Sequence, residues 1–534
     1  MITYLALRPP LYDFDGYMYR QYALLPSAFY SVNPHHLLWN AVQILLASLA
    51  SLFGYPTTVP FQVFGILASG ATLLLFYHLM WRATGDELVC AAGVMLVAFS
   101  PSFWQLALQN SPYPLAFLAL VLYLLAWRTG DGQPPAGARL WAAGLAVAAG
   151  VFFHQAMILL VPAGTLALMI CGSPPRRDRF ARGLVWGASI AAFVFGVYLA
   201  YARLLGIADL PAFSRWLTEY VDSVHPIQLL HFGFAMCFSR SVIGLSSSLL
   251  QSQGLELFLI KRLSSSTILE LYGAVGIVAL GVVAAGYRSA GLSQRISLLL
   301  KHDLLFAVSL LSVVSWWAFA FAWESATPHY WTLSLFPALI CVGFVLRHRS
   351  PTARWIFVAT VLLVSGWNCY ANHQVDSSDS RNFPEPLLAS IKSHLGDRDI
   401  FIVLGDDHWY GGMNYILLSR ILNYSPRDPL VPILNEFVVP QKRPQSWSRA
   451  LREMMESTLS SGGRVFVAAH VFNHAQYEDL AAVQDPFAEQ IDVPYLGVDP
   501  DILYREVQEA FRGYALRKSD FRIGSDDYYS MEPE

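Results

Sequence analysis

Ten apolar runs, punctuated by loops of unequal charge, constrain this 534-residue chain more than any other feature. They fall at about 57–80, 88–102, 112–127, 140–153, 156–172, 183–205, 268–286, 303–323, 330–347 and 354–371. Each is long enough to cross, or nearly cross, the roughly 30 Å hydrocarbon layer of a bilayer at ~1.5 Å per helical residue. Only 14% of the residues are charged and 55% are hydrophobic, against about 25% charged in soluble domains. The expected fold is therefore a polytopic α-helical membrane protein.

Orientation follows from the cations in short loops. Alternate loops hold Arg82; Arg128 and Arg139; Arg176, Arg177, Arg179 and Arg182; Arg288, Arg295 and Lys301; and Arg347, Arg349 and Arg354. The intervening short loops near 103–111, 154–155 and 324–329 hold none. The cation-rich loops are expected in the cytoplasm and the others outside. With ten spans both termini lie outside, an awkward start for insertion, which raises the expectation of a missing first helix preceding the chain.

Three domains are expected. Residues 1–56 form an external loop with interfacial helices. Residues 57–372 form the bundle, with a long external loop at 206–267. Residues 373–534 form an extracytoplasmic α/β domain. The run His36–Gly54 is one helix long, but its polar Asn40, Gln43, Ser48 and Ser51 suit a helix lying in the interface. The run Ile227–Leu250, interrupted by Arg240, is expected to be re-entrant or interfacial.

After residue 373, Ile400–Gly405 and Arg464–His470 have the composition of buried strands, and Ser446–Gly463 that of a helix ending at Gly. Charge divides between the regions. Residues 1–372 carry 20 basic against 13 acidic residues, and residues 373–534 carry 15 against 25. The acidic tail argues against nucleic acid as a partner. All five cysteines lie in apolar stretches, as packed thiols would.

Carboxylates are scarce in the bundle half, so the pair Asp13 and Asp15 in YDFDGYMYRQYA is a candidate for chemistry. The expected outer face also gathers His35, His36, Asn110, His154, Glu324 and His329, together with Arg240 of the long loop. The alternatives remain open at each position: Asp13 and Asp15 as helix caps, the histidines as packed helix ends, Glu324 as a solvated turn. The tail loop GDDHWYGG (Gly405–Gly412) is a further polar candidate.

The order of parts resembles the GT-C superfamily of integral-membrane glycosyltransferases, especially the protein-mannosyltransferase and aminoarabinose-transferase type. NPHHLLWN (Asn33–Asn40) stands where that family has a HPPL-like element. LLASLASLFGY leads into the first complete span, and SPSFWQLALQNSPYPLAFLALVLYLLAW (Ser100–Trp127) matches the segment after it. The resemblance covers about residues 10–200.

The resemblance implies transfer of a sugar from a polyprenyl-phosphate carrier to a glycan, lipid or protein acceptor. This would occur on the outer face of a bacterial inner membrane, in contact with membrane lipid. It places the catalytic acid at Asp15, with Asp13 beside it either to position the acceptor or to share a divalent cation (Mg or Mn). It makes His35, His36, Asn110, His154, Glu324, His329 and Arg240 candidate substrate-binding residues. Two departures stand out. Gly16 occupies a position often held by Glu, and the turn Gln109–Tyr113 lacks the family's second acid. A polysaccharide polymerase or ligase using a lipid-pyrophosphate donor is the alternative enzyme. A transporter and a membrane scaffold are the remaining classes.

Overall fold

A computed structural model of the protein describes residues 4, 34–52, 58–109, 111–128, 137–172, 175–207, 209–217, 234, 237–238, 241, 244–250, 292–323, 328–347, 349–381, 399–402, 447–473, 500–523 and 526–533. Nine of the ten apolar runs are helical; the run at 268–286 lies outside the described residues. In chain order the helices of this half are α1 (Trp39–Leu52), α2 (Thr58–Thr84), α3 (Glu87–Phe99), α4 (Pro101–Leu108), α5 (Tyr113–Ala126), α6 (Gly137–Phe153) and α7 (Leu160–Ile170). They continue with α8 (Arg176–Leu204), α9 (Leu210–Leu217), α10 (Leu292–His302), α11 (Leu304–Trp323), α12 (Pro328–Arg347) and α13 (Pro351–Arg381). Among the described residues five helices are long and apolar enough to cross a membrane, and the bent pair α3–α4 makes a sixth. Three shorter apolar segments, Tyr113–Ala126, Gly137–Phe153 and Gln155–Ile170, pack among them. The protein is an integral membrane protein.

Helix ends are set by local chemistry. Gly85, at a φ of 66°, stops α2, because glycine takes the left-handed region without a Cβ penalty. Asp86 then caps α3, its Oδ1 accepting from the backbone N–H of Leu88 and Val89 at 3.0 and 3.2 Å. Asp303 caps α11 in the same way, accepting from Phe306 N at 2.9 Å.

The span expected at 88–102 is broken. Pro101 has no N–H to continue the ladder, and α3 and α4 meet at 63°. Three carbonyls at the break find side-chain donors: Ser100 Oγ on Val97 O at 2.8 Å, Tyr4 on Ala98 O, and Asn372 Nδ2 on Phe99 O at 3.3 Å. An apolar interior has no water to serve these groups, so such partners are required.

The centre of the bundle is aromatic. Phe76, Phe103, Phe117 and Phe336 come from four helices with ring centroids 5.0–5.9 Å apart. Helices α7 and α8 approach through glycine. A Cβ on Gly183 would lie 2.8 Å from Thr165 O, and one on Gly164 2.8–2.9 Å from Tyr123, Trp127 and Trp186. Small residues let membrane helices gain dispersion contact that bulkier ones would block.

The two ends of the bundle differ. One collects the ends of α2, α5, α7, α10 and α12 with the starts of α3, α6, α8, α11 and α13. Arg354 pairs with Asp86 there at 3.3 Å, and Cys171 Sγ donates to Leu300 O at 2.6 Å. This cationic end holds Arg82, Arg128, Arg139, Arg176, Arg177, Arg179, Arg182, Arg347, Arg349 and Arg354, whereas Arg203 and Arg215 lie at the end of α8 and on α9. At the other end Leu38 N donates to Phe152 O at 3.0 Å, bringing the start of α1 onto the end of α6.

The tail residues form a four-stranded sheet of β1 (Ile400–Ile402), β2 (Val465–Ala468), β3 (Tyr514–Ile523) and β4 (Asp526–Pro533), in the order β1-β2-β4-β3. β1 and β2 are parallel; β4 is antiparallel to both its neighbours. Helix α14 (Trp447–Ser460) packs against β2 and against α15 (Pro500–Ala510). Arg464 donates three hydrogen bonds to buried Asp399, through its backbone N–H at 2.8 Å, Nε at 3.1 Å and Nη2 at 2.6 Å, fixing the start of β1 against β2. This is the mixed α/β tail expected from the sequence.

Candidate functional site

Four of the histidines singled out in the sequence converge at the end opposite the arginines. Pro34–His36 form one 3-10 turn. Tyr198 of α8 donates to Pro34 O at 2.9 Å and holds this turn on the bundle. His36 Nδ1 donates to Phe153 O at 2.7 Å, the last residue of α6. Because a carbonyl only accepts, this bond places the His36 proton on Nδ1. His154 follows directly, in extended backbone between α6 and a 3-10 turn at Gln155–Leu159.

The rings form one packed group. His154 lies 5.4 Å from His36, 4.6 Å from Tyr113 and 6.0 Å from Tyr330, centroid to centroid. His329 lies 5.2 Å from Tyr113 and 4.6 Å from Tyr330, and His35 lies 6.1 Å from His36. His154 Nε2 and Tyr113 Oη share a 2.8 Å hydrogen bond. The other ring nitrogen, His154 Nδ1, is buried without a hydrogen-bond partner. A buried polar atom left open in this way is costly unless a ligand meets it.

Burial decides the charge of this group. It pushes His36 down to about 4, against a smaller upward pull from the Phe153 carbonyl and a further downward push from His329. Burial likewise holds His154 well below the ordinary histidine value, with His36, His35 and His329 adding repulsion. At neutral pH both rings are uncharged hydrogen-bonding groups. Their ring faces are packed together, and among the described residues no group of three or more His, Cys, Asp or Glu converges on a metal position.

The structure thus brings together His35, His36, His154 and His329. Asp13, Asp15, Asn110, Arg240 and Glu324 lie outside the described residues, as does the tail loop at 405–412. Tyr113, Tyr330 and Tyr198 were not singled out by the sequence. Tyr113 occupies the turn where the expected second acid is missing, and Tyr330 follows His329; both positions are adjacent to marked polar residues, which was the available signal.

No family model matches the chain, and no curated protein matches it by sequence. Solved structures do match. A crystal structure of ArnT from Cupriavidus metallidurans bound to undecaprenyl phosphate is 10% identical, with a TM-score of 0.51 over 99% of this chain and 96% of that one. The fold is that of the GT-C glycosyltransferases. A structure of the archaeal oligosaccharyltransferase AglB from Archaeoglobus fulgidus, with an inhibitory peptide and a dolichol-phosphate, is 11% identical. It covers 99% of this chain and 73% of that one, with a TM-score of 0.43. Within this GT-C fold the histidine–tyrosine group lies where the turn before α1, the start of α5, the α6–α7 turn and the start of α12 meet.

Proposed function

We propose that the protein is a GT-C-type glycosyltransferase that moves a sugar from a polyprenyl-phosphate carrier to an acceptor on the outer face of the membrane. The observation that carries this reading is the GT-C fold over nearly the whole chain, with a histidine–tyrosine group gathered at one end. The structure of ArnT, similar over the same length, has undecaprenyl phosphate bound. By the cation rule the histidine end faces out, in a bacterial inner membrane, and residues 373–534 form an external domain that selects or positions the acceptor.

The reaction must remove a proton from the acceptor hydroxyl while the lipid phosphate leaves the anomeric carbon. Asp15 is the proposed general base, accepting that proton as the hydroxyl oxygen attacks. Asp13 orients the acceptor beside it. A divalent cation held by Asp13 and Asp15 would offset charge on the departing phosphate; the described histidines do not form a set for one. Arg240, in the long loop, is the proposed cation for the phosphate.

The neutral imidazoles and Tyr113 would then serve hydroxyls, on sugar or acceptor, by donating and accepting single hydrogen bonds. His154 Nδ1 is the open position in that group. Asn110, Glu324 and His329 complete the proposed rim.

Transfer of radiolabelled sugar from a panel of polyprenyl-phosphate sugars into membrane extracts tests this reading. Wild-type protein should transfer from one donor, and Asp15→Asn should not. Equal transfer by both would move the base away from Asp15. Transfer from lipid-pyrophosphate donors alone would favour the polymerase or ligase.

A further inference from the structure

At the cationic end, three arginines from three helix ends meet, and among the described residues no carboxylate pairs with them. Arg128, just past α5, directs Nη1 to Nε2 of His78 on α2 at 2.8 Å. Arg139, in the first turn of α6, donates to the Arg128 carbonyl. Arg82 ends α2 one turn beyond His78. Among the described residues none of the three arginines forms an ion pair. Burial, then the charges of Arg82 and Arg139, lower the Arg128 guanidinium from its ordinary value. The three remain cationic and repel one another, a cost that an anion between them would reverse.

An apolar stripe leads away from this cluster. On α5 nearly every residue is buried except Leu115, Leu118, Leu122, Leu125 and Ala126, which follow one another at helical spacing. Leu67, Leu74, His78 and Trp81 form the matching stripe on α2, with Leu74 76% exposed. The Arg128–His78 contact sets the two stripes side by side at their charged ends. From His78 back to Leu67 the stripe runs about 16 Å at ~1.5 Å per residue, about half the hydrocarbon thickness of a bilayer. That is the depth of a single leaflet.

We propose that this surface binds one anionic glycerophospholipid, its phosphate held by Arg82, Arg128 and Arg139 and its acyl chains lying along the two stripes. Charge complementarity commits the site to a lipid with net negative charge, and the leaflet-deep stripe commits it to a lipid with chains. Basic clusters between helix ends recognise such headgroups, each arginine contributing about 1 kcal/mol near the surface. The site lies at the end opposite the histidines and does not depend on what the protein transfers.

Native mass spectrometry and thermal unfolding of the full chain in neutral detergent test this directly. The probes are phosphatidylglycerol, phosphatidylcholine with the same chains, and inorganic phosphate. Phosphatidylglycerol should raise the melting temperature of wild type and persist as a single adduct. The concentration needed should rise about fivefold for each arginine removed in Arg82→Gln and in Arg82→Gln with Arg139→Gln. Because Arg139 also contacts the Arg128 carbonyl, the single Arg82 variant isolates charge from folding. Arg176→Gln with Arg177→Gln, on exposed positions of α8, should behave as wild type. Equal stabilisation by phosphatidylcholine, an equal shift from inorganic phosphate, or an unchanged response in the Arg82 variant would each overturn the proposal.

Discussion

The two ends of this bundle are built from opposite chemistry. At the cationic end, arginines lie at the surface and spend their donors on helix-end carbonyls. Arg179 reaches Ile170 O and Gly172 O at 2.7 and 3.1 Å, and Arg354 reaches Leu346 O and Arg347 O at 3.1 and 2.8 Å. Those carbonyls have no partner in their own helices, and cations suit the negative ends of the helix dipoles. At the histidine end His36, His154 and Tyr113 are buried among aromatic rings, and the two imidazoles are uncharged at neutral pH. One end is organised to be held at a charged interface; the other packs uncharged imidazoles among aromatic rings.

The sharpest way to break this contrast is Asp15→Asn. If the histidine end is the reacting end, transfer should fall by about 10²–10⁴-fold, with the melting temperature unchanged. The matching change at the cationic end, Asp86→Asn, should leave turnover intact.

Acid is the next lever. The unfolded chain takes up a proton at His36 near the ordinary histidine value of about 6.5, and the folded protein resists until about pH 4. Stability should therefore fall as pH drops through that window, by roughly 3 kcal/mol from His36. His154 acts in the same direction. Thermal unfolding of wild type and His36→Gln across pH 7 to 4 measures it, and the variant should show a flatter profile.

Removing the Tyr113 hydroxyl should have a smaller effect. Tyr113→Phe leaves His154 Nε2 buried without its partner, costing about 1–3 kcal/mol; a melting temperature equal to wild type would show that the bond is not maintained in the membrane. Smallest of all is Arg354→Ala. Its pair with Asp86 is about a quarter to a third exposed, so the ion pair contributes at most about 1 kcal/mol, and transfer should not change.

Much of the fold is legible because lipid leaves helices little choice. Nine of the apolar runs mark helical segments to within a few residues, except that α4 continues to Leu108, α8 starts in its cationic loop at Arg176 and α13 continues to Arg381. The histidines stood out because each interrupts an otherwise apolar, cation-free turn. The break at Pro101 was missed because the run on both sides is equally hydrophobic; the proline itself was the signal. Tyr113 and Tyr330 were hidden among 26 tyrosines, many of which also neighbour a polar residue. The β3–β4 hairpin was missed because charged residues fill both strands, Arg517 to Arg522 and Asp526 to Asp527, and mask the alternation that usually identifies a sheet.

The broken span also sets a schedule. The Phe99 carbonyl is completed by Asn372, 273 residues further along the chain. At about 5–20 residues per second of synthesis, that donor emerges roughly 14–55 s after its acceptor. Throughout that interval the second span carries an unfinished corner, and only the arrival of α13 closes it. The bend is thus a joint made early and locked last, so the bundle reaches its final shape only when its last described helix is in place.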